Sequence, residues 1–369
     1  MIDSARSLAP RAAELADVTE SGRRLPAELV SAFRGEGLFS MCTPASLGGG
    51  EVPVAEMVEA VETIATADAA AAWCVMIQAT SGVLGAYLQP DVAAEIFGRG
   101  DAVLGGVYAP LGRAKVVPGG YRVTGRWPFA SGSGHCTWLS GGATLEQGPP
   151  RMMTFPASEV TIVDTWQVSG LAGTGSNDIQ VDDVFVPAGR SVSLTSDRPV
   201  EKGVLYKFPV FGFLALGIAA VALGTARGAI DDILDLAGAK TPTGSRRKLA
   251  ERPLIQMQVA QCEAILGSAR AFVNATVGDC WHLAESGVEL GLRERARLRL
   301  AATHATIAST QVVDLMYTAG GGTSIYRTNT LQRRFRDIHT ATQHVMVAQP
   351  TFELAGRVLL GIDADFSLL

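Results

Sequence analysis

The stretch Leu171-Ala-Gly-Thr-Gly-Ser-Asn-Asp-Ile-Gln-Val-Asp-Asp-Val-Phe-Val-Pro187 decides the fold class. It begins like a dinucleotide-binding glycine fingerprint, but the third glycine is missing. Beyond Asp178 comes an alternating, β-branched run ending in proline, which reads as a strand and not as the helix such a fingerprint requires. A Rossmann reading fails, and the segment belongs to a sheet of short strands. Tyr121-Arg-Val-Thr-Gly125 and Thr161-Ile-Val163 share the texture, with Gly119-Gly120 as a hairpin turn.

On both sides the period changes. Toward the N-terminus apolar residues recur at helical intervals, as in Leu25, Leu29, Phe33 and Val58, Val61, Ile64, and Asp68-Ala-Ala-Ala-Ala-Trp73 continues a strong helix former. Pro44–Gly50 is a loop by its Pro and Gly content. Toward the C-terminus helices are expected over Ala215–Ala237, Leu254–Glu285, Leu292–Met316 and, after Gly320-Gly-Gly322, about Gln332–Leu360. The expectation is an α+β chain: an all-helical domain over 1–103, a β-domain over 104–200 and a four-helix bundle over 201–369.

With 369 residues, 47% of them apolar, the chain can bury a large core. A net charge of −5 with interspersed signs offers no basic stripe for nucleic-acid phosphates. Five widely spaced cysteines without C-x-x-C fit neither zinc nor a disulfide framework, so a reducing cytoplasm is expected. The start MIDSARSLAP lacks a secretory pattern. The apolar run Phe208–Leu223 is shorter than the roughly 20 residues of a membrane span. Among His135, His282, His304, His339 and His344 no pair has i, i+4 spacing, so no metal site is expected. His339 and His344 stand five apart, roughly 140° around a helix, so only one can face a given pocket.

Trp127-Pro-Phe-Ala-Ser131-Gly-Ser133-Gly-His135 gathers aromatics, hydroxyls and glycines after a strand. It can bring backbone N–H groups and a Ser hydroxyl close to a flat ligand, or form an ordinary hairpin loop.

Taken together, Pro44–Gly50, Gly125–Ser133, Gly173–Pro187, Arg247–Gln258 and Gly320–Asp337 resemble, in order and spacing, the acyl-CoA dehydrogenases over nearly the whole chain. The resemblance implies an N-terminal helical domain, a middle β-barrel-like domain and a C-terminal four-helix bundle. It also implies a homotetramer whose flavin lies between β-domain and bundle, completed by a neighbouring subunit. Phe129, Ala130 and Ser131 then stand against the flavin ring, with Ser131 near N5 and O4 and Ser133 as its substitute. Arg247 matches an arginine that reaches the flavin pyrophosphate across the dimer, and Gln258, Gly320 and Gly321 match further flavin contacts from the partner.

A dehydrogenase needs a carboxylate to remove the α-proton of its thioester. Here Arg336-Asp337 is followed by Ile-His-Thr-Ala-Thr-Gln-His344-Val-Met-Val, with no carboxylate before Glu353, and the alternative position near Leu214 is apolar. Val107-Tyr-Ala-Pro110-Leu-Gly112-Arg-Ala114 replaces the thioester loop and, with the Arg-Asp-x-His helix, resembles the reduced-flavin hydroxylases of the same fold. That branch implies a monooxygenase taking FMNH2 or FADH2 (FMN or FAD as reduced co-substrate) from a separate flavin reductase. It would act with O2 through a C4a-hydroperoxyflavin on an aromatic or polycyclic small molecule. His344 matches a histidine beside the flavin that manages protons, and His339 is its rival. The stretch Trp73–Ser81 lacks the substrate-facing histidine of several hydroxylases. The alternatives are a dehydrogenase-type flavoenzyme with an unrecognised base and a non-catalytic family member.

Overall fold

A computed structural model describes residues 1–98 and 100–369. The N-terminal helices are α1 (Ile2–Glu14), α2 (Ala16–Gly22), α3 (Ala27–Gly35), α4 (Val54–Ala67), α5 (Ala69–Ser81) and α6 (Pro90–Phe97). Asp68 separates α4 from α5 by accepting the Ala71 N–H in its carboxylate at 2.7 Å, an N-cap that fixes where α5 begins. Nearly every residue of α5 is buried, so its polar side chains, Gln78 and the Trp73 indole, must find partners inside.

Seven strands follow: β1 (Leu104–Val117), β2 (Gly120–Trp127), β3 (Trp138–Leu145), β4 (Arg151–Pro156), β5 (Thr161–Val163), β6 (Asp178–Pro187) and β7 (Ser191–Val192). They form one sheet in the order β5-β6-β2-β1-β3-β4-β7, with only β1 and β3 parallel. Pro118-Gly119 closes the β1–β2 hairpin, with Gly119 at φ +81° where a turn needs left-handed backbone. Fully buried Trp127 explains much of the glycine content, because a Cβ at Gly112, Gly125 or Gly141 would overlap its indole. Its Nε1–H donates to the Gly142 carbonyl at 2.7 Å. The Val107–Ala114 stretch lies within β1, where the register shifts between Val107 and Gly112.

The C-terminal part holds α7 (Val210–Ala239), α8 (Pro253–Glu285), α9 (Leu292–Gly320), α10 (Thr330–Ala341) and α11 (Pro350–Leu360). Packed between α4 and α9 and touched by α5 and α10, α7 is almost wholly buried and apolar from Phe211 to Ala226, while Arg227, Asp231, Asp232 and Asp235 charge its C-terminal half. Two segments, Ala69–Tyr87 and Val210–Ala239, are long and apolar enough to cross a membrane, but 89% and 83% of their apolar windows are buried in the protein. The single last helix expected over about Gln332–Leu360 is interrupted. The chain leaves α10 at Thr342, makes a short 3-10 turn over Val345–Val347, and restarts at Pro350, whose ring suits a first helical turn. His344 therefore sits in a connection, not on a helix, and the 140° argument does not apply to it.

Candidate active site

The Phe129–His135 loop turns back on itself. Phe129 takes φ +69° and stands two-thirds exposed, its ring edge-on to Trp166 at 6.1 Å. The backbone N–H groups expected to face a ligand are used internally. Ala130 donates to Asn177, Ser131 to Phe129, Gly132 to Thr174 and Ser133 to Ala130. Nor does Gly132 serve ligand approach. At φ +71°, a Cβ there would lie 2.5 Å from the Gln78 amide nitrogen and 2.8 Å from the His135 ring. Gly132 lets the loop dock on α5.

Ser131 is buried and held at two points by α5. The Trp73 indole donates to Ser131 Oγ at 3.0 Å, and the Gln78 amide donates to the Ser131 carbonyl at 3.0 Å. Ser131 Oγ also meets Ser176 Oγ at 2.7 Å, Ser176 Oγ meets Thr174 Oγ1 at 2.6 Å, and Thr174 Oγ1 donates to the Leu171 carbonyl at 2.8 Å. Ser176 and Thr174 belong to the stretch whose glycines failed as a dinucleotide fingerprint, so that loop enters the site by hydroxyls. Ser133 Oγ is buried without a partner.

His344 closes the cluster. Its ring lies 5.8 Å from that of Trp73, and its Nδ1 accepts the Met346 N–H at 3.2 Å, leaving Nε2 to carry the proton. Burial and then the Arg299 charge push its pKa down to about 4, so the ring is neutral at physiological pH. Buried Arg299 donates to the carbonyls of Met346, at 3.0 Å, and Leu368. His339 points elsewhere. Its Nε2 meets Asp314 at 2.9 Å, its ring packs on Phe335 at 4.6 Å, and Asp314 lines a surface groove between α9 and residues 342–349. Asp337, one helical turn before Ala341, is buried and accepts the Leu171 N–H at 2.6 Å, with burial raising its pKa to about 7.

Arg247, Gln258, Gly320 and Gly321 form a separate group. Leu249, Ile255 and Ala237 pack at that end of the bundle with Ala319, and Lys240 donates to the Gly320 carbonyl at 2.8 Å. Arg299, at the His344 turn, and Gly320 are 320 − 299 = 21 residues apart on α9, roughly 30 Å. The exposed Arg247 side chain has no ion pair among the described residues, and the half-buried Gln258 leaves its carboxamide oxygen unpartnered. Among the described residues, no hydrogen bond or ion pair links these four residues to Ser131.

Among the described residues, no hydrogen bond of the Trp73, Ser131, Ser176 or His344 side chain is to a carboxylate, and the buried carboxylates of Asp68 and Asp337 accept the Ala71 and Leu171 N–H groups. An isoalloxazine needs an apolar surface for its ring and polar partners at its N5 edge. The exposed Phe129 ring, the remaining lone pair of Ser131 and the unpartnered Ser133 hydroxyl fit that need. No group of three or more His, Cys, Asp or Glu capable of holding a metal occurs among the described residues. Trp73, Gln78, Ser176 and Thr174 were not singled out from the sequence as site residues. Their only sequence signal was polar groups inside an apolar helix and hydroxyls in a glycine loop.

Comparison with known proteins places these features in context. Residues 3–102 match the family model described as acyl-CoA dehydrogenase, N-terminal domain, and residues 216–349 the model described as acyl-CoA dehydrogenase, C-terminal domain. The chain is 31% identical over 344 residues to the indole-3-acetate monooxygenase of Pseudomonas putida, covering 92% of this chain and 88% of that protein. It is 29% identical to the oxygenase component of the FADH(2)-dependent resorcinol hydroxylase of Rhizobium sp., over 94% of this chain and 90% of the relative. The crystal structure of 3-HSA hydroxylase from Rhodococcus sp. RHA1 superposes with a TM-score of 0.93 at 26% identity, covering 100% of this chain and 98% of the other. XiaF from Streptomyces sp., in complex with FADH2 and glycerol, gives 0.92 at 27%, covering 98% and 95%.

Proposed function

Since this chain belongs to the acyl-CoA dehydrogenase family, on its flavin-dependent monooxygenase branch, we propose that it is the oxygenase component of a two-component hydroxylase acting on an aromatic or polycyclic small molecule. The observation that carries this reading is the juxtaposition of Trp73, Ser131 and neutral His344 with no carboxylate partner. In such a site the buried carboxylates of Asp68 and Asp337 are engaged by the Ala71 and Leu171 N–H groups, and the group free of a carboxylate is a neutral imidazole placed to accept a proton from a phenol.

When bound, reduced flavin, FMN or FAD, supplies the electrons and the carbon that engages oxygen. The chain's residues do the rest. Phe129, Ala130 and Ser131 line the ring, with Ser131 at its N5 edge and Ser133 beside it. His344 holds and moves the proton through Nε2, while His339, paired with Asp314, is the lesser candidate. The buried indole of Trp73 keeps water from that edge. Met76 and Tyr108, which lie against Gly217 and Phe211 of α7, supply apolar walls suited to an aromatic ring. Arg247, Gln258, Gly320 and Gly321, none of them bonded to Ser131 of their own chain, hold the flavin phosphates of a partner within a homotetramer. A separate reductase delivers the flavin, and the five buried free cysteines suit the cytoplasm.

The test is to mix the purified protein with a flavin reductase, NADH, FMN or FAD, and resorcinol or indole-3-acetate, and to look by mass spectrometry for one added oxygen. Product formation supports the reading. Absence of product, together with bleaching of bound oxidised FAD by an acyl-CoA, replaces it with a dehydrogenase.

A further inference from the structure

Four side chains at the site form one hydrogen-bonded row, and its direction is fixed at both ends. At one end the Trp73 indole can only donate, so Ser131 Oγ accepts from it. At the other the Leu171 carbonyl can only accept, so the single hydroxyl proton of Thr174 points there. Thr174 must then accept from Ser176, and Ser176, its proton spent, must accept from Ser131. The row is Trp73 to Ser131 to Ser176 to Thr174 to the Leu171 carbonyl, every hydroxyl used once as donor and once as acceptor. All four residues are at most 6% exposed, so water does not compete for these bonds.

The Leu171 carbonyl is itself anchored. It accepts a second bond from the Trp166 indole at 3.1 Å, and the Leu171 N–H, on left-handed backbone at φ +52°, is clamped by Asp337. Reversing the row would take the Thr174 proton off the Leu171 carbonyl and leave two oxygens 2.8 Å apart in a buried place with no proton between them, which costs more than the net worth of a hydrogen bond.

We infer that this row leaves Ser131 Oγ with one free lone pair and no free proton, and that Ser176 and Thr174 thereby set which redox form of flavin the site accepts. The inference rests on the proposed flavin function and deepens it. Reduced flavin carries a hydrogen on N5 and can donate to that lone pair. Oxidised flavin presents a bare N5 lone pair, and the two lone pairs repel. An enzyme supplied with reduced flavin by a partner needs that discrimination, because oxidised flavin left by the previous turnover would otherwise occupy the site. Ser176 and Thr174 are positioning residues acting through Ser131.

The experiment measures dissociation constants for oxidised FMN and FAD and, anaerobically, for their dithionite-reduced forms, by flavin absorbance and tryptophan quenching. The wild type should bind the reduced form more tightly. Ser176→Ala frees the Ser131 proton to donate to N5, and Thr174→Val lets Ser176 reverse, with the same result. In both variants oxidised flavin should bind more tightly and the preference should shrink by about tenfold, the worth of one hydrogen bond gained or lost. Ser131→Ala should instead weaken reduced flavin without strengthening the oxidised form. A wild-type preference that survives unchanged in both row variants overturns the inference and leaves the flavin function standing. A wild type that binds neither redox form overturns that function and the inference with it.

Discussion

At the scale of single residues, the two candidate histidines separate by environment. His339 has a carboxylate partner and solvent, whereas His344 has an indole, a backbone N–H and a nearby guanidinium. With its folded pKa near 4 against an ordinary 6.5, His344 contributes stability above about pH 6.5 that is lost as pH falls toward 4. Observed by NMR, the His344 resonances should titrate near pH 4. In Arg299→Met, with burial unchanged but the charge removed, the midpoint should rise. His344→Ala should keep flavin affinity while hydroxylation per flavin oxidised falls about a hundredfold, the usual worth of a positioned proton carrier. Equal yields would move the role to His339. Ser131, His339 and His344 could be named as candidates from the sequence because each sits in a motif of the family it resembles. Trp73, Gln78 and Ser176 were not, because they meet Ser131 across 58, 53 and 45 positions, contacts that periodicity cannot see.

At the scale of elements, the site is a set of contacts between α5, two loops and the segment after α10, and each junction has one vulnerable residue. Gly132 meets α5 on left-handed backbone with no room for a methyl, so Gly132→Ala should lower stability by about 2 kcal/mol, through strain and overlap together, read as a fall in Tm. Asp337 joins α10 to Leu171. Its carboxyl, raised by burial from 3.8 to about 7 beside Asp68, Glu20 and Arg336, favours the folded state most below pH 4 and loses that contribution as pH rises through 7. Asp337→Asn keeps an oxygen for the Leu171 N–H and removes the titration. Its unfolding free energy should therefore decline less between pH 4 and 7 than that of the wild type, by denaturant titration. The interruption between α10 and α11 was missed from sequence because the apolar period continues through Val345, Met346 and Val347, and only Pro350 signalled a restart.

At the scale of the whole molecule, the order of helices, sheet and helices was readable because the period changes twice, near residues 104 and 200, and because the glycine loop at 171–178 runs into a strand. The assembly was readable only through the family resemblance, which assigns Arg247, Gln258, Gly320 and Gly321 to a neighbouring copy, because periodicity in one chain does not say which copy a residue serves. On α9 the Arg299 level and Gly320 stand roughly 30 Å apart. On the proposed function, the flavin ring at Ser131 of one chain has its phosphates held by the Arg247 end of another copy. Flavin affinity should then depend on association. Arg247→Ala should weaken reduced-flavin binding about tenfold, as loss of a charged hydrogen bond does, while Tm and the Trp73–Ser131 contact are unaffected. Wild-type protein diluted until light scattering shows monomers should lose flavin to the same degree. Undiminished affinity in the monomer would mean that each chain holds its flavin alone and that Arg247 serves something else.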